Sequence, residues 1–450
     1  MRALSGSIPR HDGPYVTMLG RYMTIKGLCR LHSQPAALST MATSTVGLPR
    51  APPDATPRHT WTVNGAGCDF TVDAKYTPGK LLGKGSYGVV ASAYDEEKKR
   101  KVAIKCVPKV FDDEVDALRV LREIKLLRRL NHPNIIKLED IVQPISEHGF
   151  ASLHIVMEYM ESDLHKIIHS KPKQLTIDHV RFILAQLLSG ISHLKKAHVV
   201  HRDLKPSNIL VNSACEIRVC DLGLARGLHD ERDHVDLLTE YVVTRWYRAP
   251  EVLCSLPYSY PVDMWAVGCI FAEMVRGEPL FAGENAVDML KRIVSVVGTR
   301  EMTKLRLRVS HPQARKFMDA LPFADGTPMH RLFPGLDRNG LNLIESMLKV
   351  IPDERISVDD ALRHPFLGEF ASAHVETEVA PFDFAWEQQA IGAHGVRRLM
   401  FHEICDMHWP LSRTSSDRTL IDGDRAGNST VMPATPPGLL TAGSTIGHRV

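Results

Sequence analysis

The feature that most limits what this chain can fold into is a polar segment, HRDLKPSN, at residues 201–208. It follows the apolar pair Val199–Val200 and carries a carboxylate at Asp203, an ammonium at Lys205 and an amide at Asn208. A short strand feeding a loop would direct these groups into one cleft. Phosphoryl transfer needs such a set: a carboxylate that orients a hydroxyl, a cation for the developing charge and an amide oxygen for magnesium. Taken alone, the segment fits a solvated turn equally well.

The composition bounds the alternatives. The chain of 450 residues is long enough for two folded lobes and two tails. Its formal net charge of +3 is too small to indicate nucleic-acid or membrane binding. The eight cysteines form no C-x-x-C pair, so they favour neither a disulfide framework nor a zinc site and fit a reducing compartment. The best candidate for a membrane span, Met264–Val275, is short and contains Glu273, and we interpret it as a buried helix.

Both ends of the chain lack sustained hydrophobic periodicity. Residues 1–68 are rich in Ser, Thr, Pro, Gly and Ala, and residues 410–450 in Ser, Thr, Gly and Pro, so we predict that both are disordered. The charges of the leader are mostly Arg and Lys, and an Arg-rich, acid-poor leader can be a transit peptide. Two interpretations stay open: a targeting signal, or a disordered extension with a true start at Met41.

A glycine-rich turn precedes the polar segment in the chain. Residues Gly83–Val90 have the pattern G-x-G-x-x-G-x-V between apolar strand signals, and glycines let backbone amides approach a phosphate. In a dinucleotide-binding site the glycines would open a helix. Here they lead into another strand and then to Lys105 in the sequence V-A-I-K. The pattern therefore favours a hairpin that covers phosphates.

A lysine in such an apolar strand requires a partner, because a buried charge is costly unless it is paired. The helix predicted around Asp116–Leu130 places Glu123 within an apolar stripe. We expect the Glu123 carboxylate to pair with Lys105. The alternative is that Glu123 lies at the edge of the stripe and is solvated.

A second acidic position follows the polar segment. Ile217–Cys220 is typical of a strand, and it ends at Asp221–Leu222–Gly223. A carboxylate at a strand end before glycine suits a metal, and with Asn208 and the glycine loop it would complete a magnesium–nucleotide site. By itself, Asp221 fits a turn residue equally well.

Five motifs occur in the order G-x-G-x-x-G-x-V, V-A-I-K, H-R-D-L-K-P-S-N, D-L-G and A-P-E, the last at Ala249–Glu251. Together they resemble the signature set of eukaryotic protein kinases over about residues 70–370. The lysine after H-R-D, Lys205, resembles the one in serine/threonine kinases. The resemblance implies an α+β, two-lobed fold. A small antiparallel β-sheet lobe with one key helix would occupy residues 69–160, and a larger, mainly helical lobe residues 161–370.

The resemblance implies that ATP and Mg²⁺ are the cofactors, and it assigns roles to individual residues. Asp203 would accept the proton of the substrate hydroxyl, Lys205 would steady the γ-phosphate, and Lys105 would hold the α/β-phosphates. Asn208 and Asp221 would bind Mg²⁺. The residues expected around ATP are Leu82, Gly83, Lys84, Gly85, Ser86, Tyr87, Gly88, Val90, Ala103, Lys105, Glu123, Met157 as gatekeeper, Glu158, Met160, Asp163 and Leu210.

One position departs from the family pattern. Leu222 stands where the family usually has Phe. Leucine is smaller but still apolar, so it can pack beneath the helix that carries Glu123. We expect activity to survive, with an altered balance between the in and out states of this loop.

The segment Thr239–Glu240–Tyr241, followed by V-x-T-R-W-Y-R, resembles the activation lip of mitogen-activated protein kinases of the extracellular-signal-regulated type. The resemblance implies a proline-directed enzyme activated by phosphorylation of Thr239 and Tyr241. A phosphate brings about −1.5 to −2 charges and acceptor oxygens that pair with arginines. Arg122, Arg202 and Arg226 would hold the phosphate on Thr239, and Arg245 and Arg248 the one on Tyr241.

Partners and location follow from the same resemblance. We expect an upstream dual-specificity kinase, substrates with Ser/Thr-Pro sites and phosphatases, but neither nucleic acid nor a membrane span. We expect the cytoplasm, with the nucleus left open and the targeting role of residues 1–60 undecided.

Further positions are expected to support the fold or docking. Asp263 would brace the backbone of the polar segment, and Glu251 would pair with Arg355. A family insert would lie at about residues 289–332, and an extension at 371–409 would wrap onto the small lobe. The acidic docking cluster of the family is reduced here to Glu376 and Glu378, which leaves docking strength in doubt.

Two other functions compete with this interpretation. A pseudokinase would keep the fold as a scaffold without chemistry, but the four residues that such proteins would lose, Lys105, Asp203, Asn208 and Asp221, are all present. A kinase for small molecules is disfavoured by the A-P-E segment and the long lip, which serve peptide binding in the family.

Overall fold

The computed structural model of the protein describes residues 57–85, 88–144, 146, 149–171, 175–227, 244–309, 312–390 and 392–408. A strand-rich part comes first in the chain, and a helix-rich part follows. One compact unit extends to Ile404. Of the second unit, which begins at Cys405, the described residues 405–408 complete the last helix.

The strand-rich part contains seven strands, all paired antiparallel. They are β1 (Arg58–Thr62), β2 (Asp69–Asp73), β3 (Tyr76–Lys84), β4 (Val89–Asp95), β5 (Arg100–Val107), β6 (Leu138–Ile141) and β7 (Leu153–Glu158). β1 and β2 form a hairpin, and the other five form one sheet in the order β3-β4-β5-β7-β6. β-Branched and small residues fill one side of this sheet, where Ala91, Ile104 and Val156 are fully buried.

One helix, α1 (Glu114–Arg129), lies between β5 and β6 in the chain. It begins two residues before the predicted start, because the side chain of Asp113 accepts a hydrogen bond from the Asp116 amide at 2.9 Å and caps the helix. Acidic residues in its first turn and basic residues in its last turn complement the helix dipole. Its buried face carries Glu123 among apolar side chains, as the stripe predicts.

The helix-rich part is organised around two long helices in contact with each other, α3 (Ile177–Lys196) and α5 (Pro261–Arg276). Thr176 and His179 form a reciprocal capping box at the start of α3. α5 begins with Pro261 and ends at Gly277, whose φ of 83° is left-handed. The remaining helices of this part are α2 (Leu164–Ile168), α4 (Pro250–Leu253), α6 (Ala286–Val297), α7 (Thr299–Arg306), α8 (Pro312–Asp319), α9 (Met329–Leu332), α10 (Arg338–Met347) and α11 (Val358–Leu362).

Five short strands frame the polar segment. They are β8 (Ser162–Asp163), β9 (Val199–Val200), β10 (Ile209–Val211), β11 (Ile217–Val219) and β12 (Arg226–Gly227). β10 lies between β8 and β11, while β12 pairs with β9. The polar segment therefore leaves β9 and enters β10, as the sequence predicts, with Pro206–Asn208 forming a 3₁₀ turn between them.

The last described segment contacts both parts of the fold. The amide of Phe382 donates to the Ala197 carbonyl at 2.8 Å, next to the end of α3. Helix α12 (Gly392–His408) buries Val396 and Met400. Glu403 on α12 accepts hydrogen bonds from Lys125 and Arg128 of α1.

This architecture confirms the predicted fold class: an antiparallel β-sheet lobe with one helix and a larger helical lobe. Helices α6 to α9 occupy the region where an insert is predicted. Among the described residues, no helix combines the length and apolar character needed to cross a membrane.

Candidate active site

A buried aspartate holds the backbone of the polar segment in place. The two carboxylate oxygens of Asp263, on α5, accept hydrogen bonds from the amides of His201 and Arg202 at 2.7 and 2.9 Å. Arg202 has a left-handed φ of 69°, a strained conformation for a side-chain-bearing residue. Because Asp263 fixes both peptide groups, it stabilises the turn that precedes Asp203.

The carboxylate of Asp203 accepts hydrogen bonds from two neighbouring side chains. Its Oδ2 accepts from Lys205 Nζ at 2.7 Å and from Asn208 Nδ2 at 3.1 Å. Burial raises the pKa of Asp203 above its ordinary value, and the neighbouring Lys205 ammonium offsets only part of this effect. A carboxylate with a raised pKa is a better proton acceptor, as general-base work requires. The side chains of Asp203, Lys205 and Asn208 therefore meet at Asp203 Oδ2.

Lys105 and Glu123 form the ion pair that the sequence predicts. Lys105 Nζ lies 2.7 Å from Glu123 Oε2, and both side chains are largely buried. Burial alone would lower the pKa of Lys105, but the carboxylates of Glu123 and Asp221 raise it above its ordinary value. Lys105 therefore remains a cation in the cleft, and α1 is fixed against β5.

Asp221 interacts electrostatically with both Lys105 and Asp203. Its charge raises the pKa of Lys105 on one side and contributes to the raised pKa of Asp203 on the other. It follows β11 and has a left-handed φ of 65°, which turns the chain toward Leu222. Leu222 is fully buried in the apolar core of the helix-rich part. Groups from positions more than a hundred residues apart thus share one neighbourhood.

The side-chain oxygens of Asn208 and Asp221 are suitable ligands for Mg²⁺. The Asn208 amide nitrogen donates to the Asp203 carbonyl at 2.9 Å and to Asp203 Oδ2 at 3.1 Å, so the amide oxygen is left to act as a ligand beside Asp221. Mg²⁺ is usually bound by one or two protein oxygens and by substrate phosphates. In the described part of the chain, no three His, Cys, Asp or Glu side chains converge into an all-protein metal site.

Strand register pairs several of the predicted nucleotide residues with one another in two sheets. Gly83 faces Val90, and Val90 faces Lys105, across β3, β4 and β5. Ala103 pairs with Met157 on β7, and Leu210 pairs with Asp163. The glycine loop, the lysine and the strand end at Met157 therefore line the same side of the cleft.

The end of β7 and the segment after it make contacts within the protein. The Glu158 amide donates to the Lys137 carbonyl at 3.0 Å. Met160 is buried, and Asp163 caps α2 by accepting from the Lys166 amide at 2.9 Å. Leu82, Lys84, Gly85 and Gly88 lie on β3 or beside the loop, whereas Ser86 and Tyr87 lie outside the described residues.

The predicted phosphate-binding arginines have other contacts. Arg122 on α1 is fully buried, and its guanidinium donates to both carboxylate oxygens of Glu387 at 2.6 and 3.1 Å and to the Gly223 carbonyl at 2.6 Å. The guanidinium of Arg202 lies over the Tyr258 ring at 4.9 Å. Arg226 is on β12, and Arg245 and Arg248 lie on the segment before α4. Thr239 and Tyr241 lie outside the described residues, so their pairing stays a prediction.

Sequence reasoning missed Glu387. Its one signal is a carboxylate among aromatic residues, after Phe382, Phe384 and Trp386. Nothing in the sequence connects that carboxylate to Arg122, which is 265 positions away.

The supporting pairs are as predicted, and the docking acids are partly neutralised. Arg355 donates to both oxygens of Glu251 at 2.8 and 3.1 Å, with both side chains buried.

Glu376 pairs with Lys196 at 3.0 Å on the surface, and Glu378 is exposed two positions later. The Lys196 contact lowers the pKa of Glu376.

Comparison with known proteins gives the class first. Residues 76–367 match the protein kinase domain. This match, the two-lobed architecture and the arrangement of Lys105, Asp203 and Asp221 define a protein kinase. The most similar relatives then give the family within that class.

Over 299 residues the chain is 45% identical to "Mitogen-activated protein kinase 3" of Oryza sativa subsp. japonica, covering 66% of this chain and 80% of the relative. It is 42% identical over 346 residues to "Mitogen-activated protein kinase 7" of Arabidopsis thaliana, covering 75% and 91%. It is 41% identical over 345 residues to "Mitogen-activated protein kinase 4a" of Physcomitrium patens, covering 76% and 90%. The chain belongs to the mitogen-activated protein kinase family, whose members are protein serine/threonine kinases.

Proposed function

We propose that this protein transfers the γ-phosphate of ATP to serine or threonine residues that are followed by proline, and that phosphorylation of Thr239 and Tyr241 switches it on within a signalling cascade. The observation that carries the proposal is the short Lys105–Glu123 contact at 2.7 Å beside an Asp203 held by Lys205 and Asn208. A scaffold without chemistry would have no need to keep these buried charges together.

In the proposed mechanism each side chain has one task. Asp203 orients the substrate hydroxyl and accepts its proton, which its raised pKa favours. Lys205, 2.7 Å from Asp203, stabilises negative charge on the transferred phosphoryl group. Lys105 binds the α/β-phosphates, and Glu123 holds it in position. When bound, Mg²⁺ on Asn208 and Asp221 would neutralise phosphate charge.

The resemblance of the lip and the names of the relatives support the regulatory part of the proposal. A phosphate on Thr239 would pair with arginines near it, and Arg122 would then exchange the Glu387 carboxylate for the phosphate. Full activity should therefore require both phosphates. Near-full turnover by protein made in bacteria and free of phosphate would contradict the switch.

A peptide assay tests the substrate class. Doubly phosphorylated protein is given two peptides that differ only in Pro or Ala after the acceptor, and the initial rates are compared. We expect the Pro peptide to be strongly preferred, and equal labelling would refute proline direction.

The base assignment has its own test. Asp203→Asn should reduce kcat by a factor of about 10² to 10⁴ while ATP affinity, measured by calorimetry, stays nearly unchanged. A variant with substantial turnover would overturn the assignment of Asp203 as the base.

A further inference from the structure

The mechanism above gives no role to the carboxylate of Glu273. This residue lies near the end of α5 and is fully buried. Its Oε2 accepts a hydrogen bond from the Tyr247 hydroxyl at 2.7 Å, and Tyr247 is also buried. Its other oxygen, Oε1, makes no hydrogen bond within the described residues, and His169 Nε2 lies 3.9 Å from it. Burying a carboxylate with one unpaired oxygen costs stability, so the contact with Tyr247 calls for another explanation.

Tyr247 belongs to the wall of a cavity next to the base. Tyr247, Thr244 and Ala249 line this small cavity together with Asp203 and Leu204. An acceptor hydroxyl bound at Asp203 would place the next residue of a substrate beside this wall. The position of the Tyr247 ring therefore affects which residue fits there.

Glu273 and Asp263 lie on the same helix. Asp263, at the start of α5, holds the His201 and Arg202 amides, and Glu273 holds Tyr247 ten positions further along. At 1.5 Å per residue this separation is about 15 Å along a rigid helix. One helix thus fixes both the loop that carries the base and the loop that borders the cavity.

We propose that Glu273 is a positioning residue: by holding the Tyr247 hydroxyl, it sets the discrimination for the residue that follows the phosphate acceptor. This inference rests on the proposed proline-directed function and names a residue that would determine its specificity. The matched control is Tyr76, a buried tyrosine in the β-sheet lobe whose hydroxyl donates to Asp140 at 3.0 Å.

The test uses the full chain, phosphorylated on both lip residues, and the Pro and Ala peptides. The variants are Tyr247→Phe, Glu273→Ala, Glu273→Gln and the control Tyr76→Phe. A hydrogen bond of ordinary net strength corresponds to about 3- to 10-fold in an equilibrium. We expect Tyr247→Phe and Glu273→Ala to raise the KM for the Pro peptide by about that factor. The Pro-over-Ala ratio of kcat/KM should fall, while the KM for ATP stays unchanged.

Two results separate positioning from a merely structural role. Glu273→Gln keeps an acceptor oxygen for the Tyr247 hydroxyl, so it should restore the Pro-over-Ala ratio to within about twofold of wild type. Tyr76→Phe also loses a buried tyrosine–carboxylate bond, but it should leave the ratio unchanged.

The inference is overturned if Tyr247→Phe keeps the wild-type ratio, or if Glu273→Gln fails to restore it. It is also overturned if thermal unfolding shows that Tyr247→Phe cannot fold while Tyr76→Phe can, since the bond would then serve stability. Equal use of both peptides by the wild type would refute proline direction instead. In that case the positioning role is judged by the peptide KM against the ATP KM.

Discussion

Replacing Glu387 by Gln tests the least expected contact of the structure. The change keeps the size of the side chain but removes the charge that pairs with Arg122. The Arg122 side chain is 1% exposed and that of Glu387 is 20% exposed, so water screens the pair only weakly. Breaking a buried ion pair from one side costs about 3–5 kcal/mol. Because Arg122 keeps the Gly223 carbonyl and Glu387 is partly exposed, we expect a loss of about 2 kcal/mol in the free energy of unfolding.

The assay is urea denaturation of unphosphorylated protein, followed by tryptophan fluorescence. Glu376→Gln is the matched control, since it removes an exposed pair with Lys196 in the same extension and should change the free energy of unfolding little. If the phosphate on Thr239 takes over Arg122, the loss caused by Glu387→Gln should shrink in the phosphorylated protein. A change for Glu387→Gln no larger than that of the control would refute the reasoning.

Three further changes test other parts of the site. Lys205→Ala removes the positive charge that partly offsets the raised pKa of Asp203, so this pKa should rise further and the acid limb of the kcat/KM profile should move to higher pH. Lys205→Arg keeps the charge and should leave the acid limb in place. A pH–rate profile of Lys205→Ala without a shift would contradict the link between Lys205 and the pKa of Asp203. Glu123→Gln should raise the KM for ATP about tenfold or more, because Lys105 loses its partner at 2.7 Å; an unchanged KM in steady-state kinetics would remove the pair from nucleotide binding. Glu251→Gln leaves the buried Arg355 guanidinium uncompensated and should cost about 3–5 kcal/mol in denaturation experiments; a cost below 1 kcal/mol would show that the pair is not needed for the fold.

The features that could be predicted from the sequence are those written in local patterns. The apolar stripe around Glu123 indicated both a helix and a buried charge, and the strand around Lys105 indicated where that charge finds its partner. The polar segment between β9 and β10 followed from its strand-like flanks. These features need only short-range periodicity and the rule that buried charges are paired.

Contacts between distant elements were not predictable in this way. The family resemblance predicts that Arg122 binds a phosphate, but it gives no indication that the Arg122 guanidinium contacts Glu387 in the extension. The bond from Tyr247 to Glu273 joins a loop to a mostly apolar helix. No periodicity marks either pairing, since each depends on how whole elements pack. A single sequence does not reveal such pairings.

The route of the chain after α11 has a mechanical consequence. The Phe382 amide is hydrogen-bonded to the Ala197 carbonyl at the end of α3, while Glu403 is bonded to α1, so this part of the chain is a strap that contacts both lobes. Opening the cleft between the lobes would have to stretch or detach this strap, so the strap limits how far the lobes can separate.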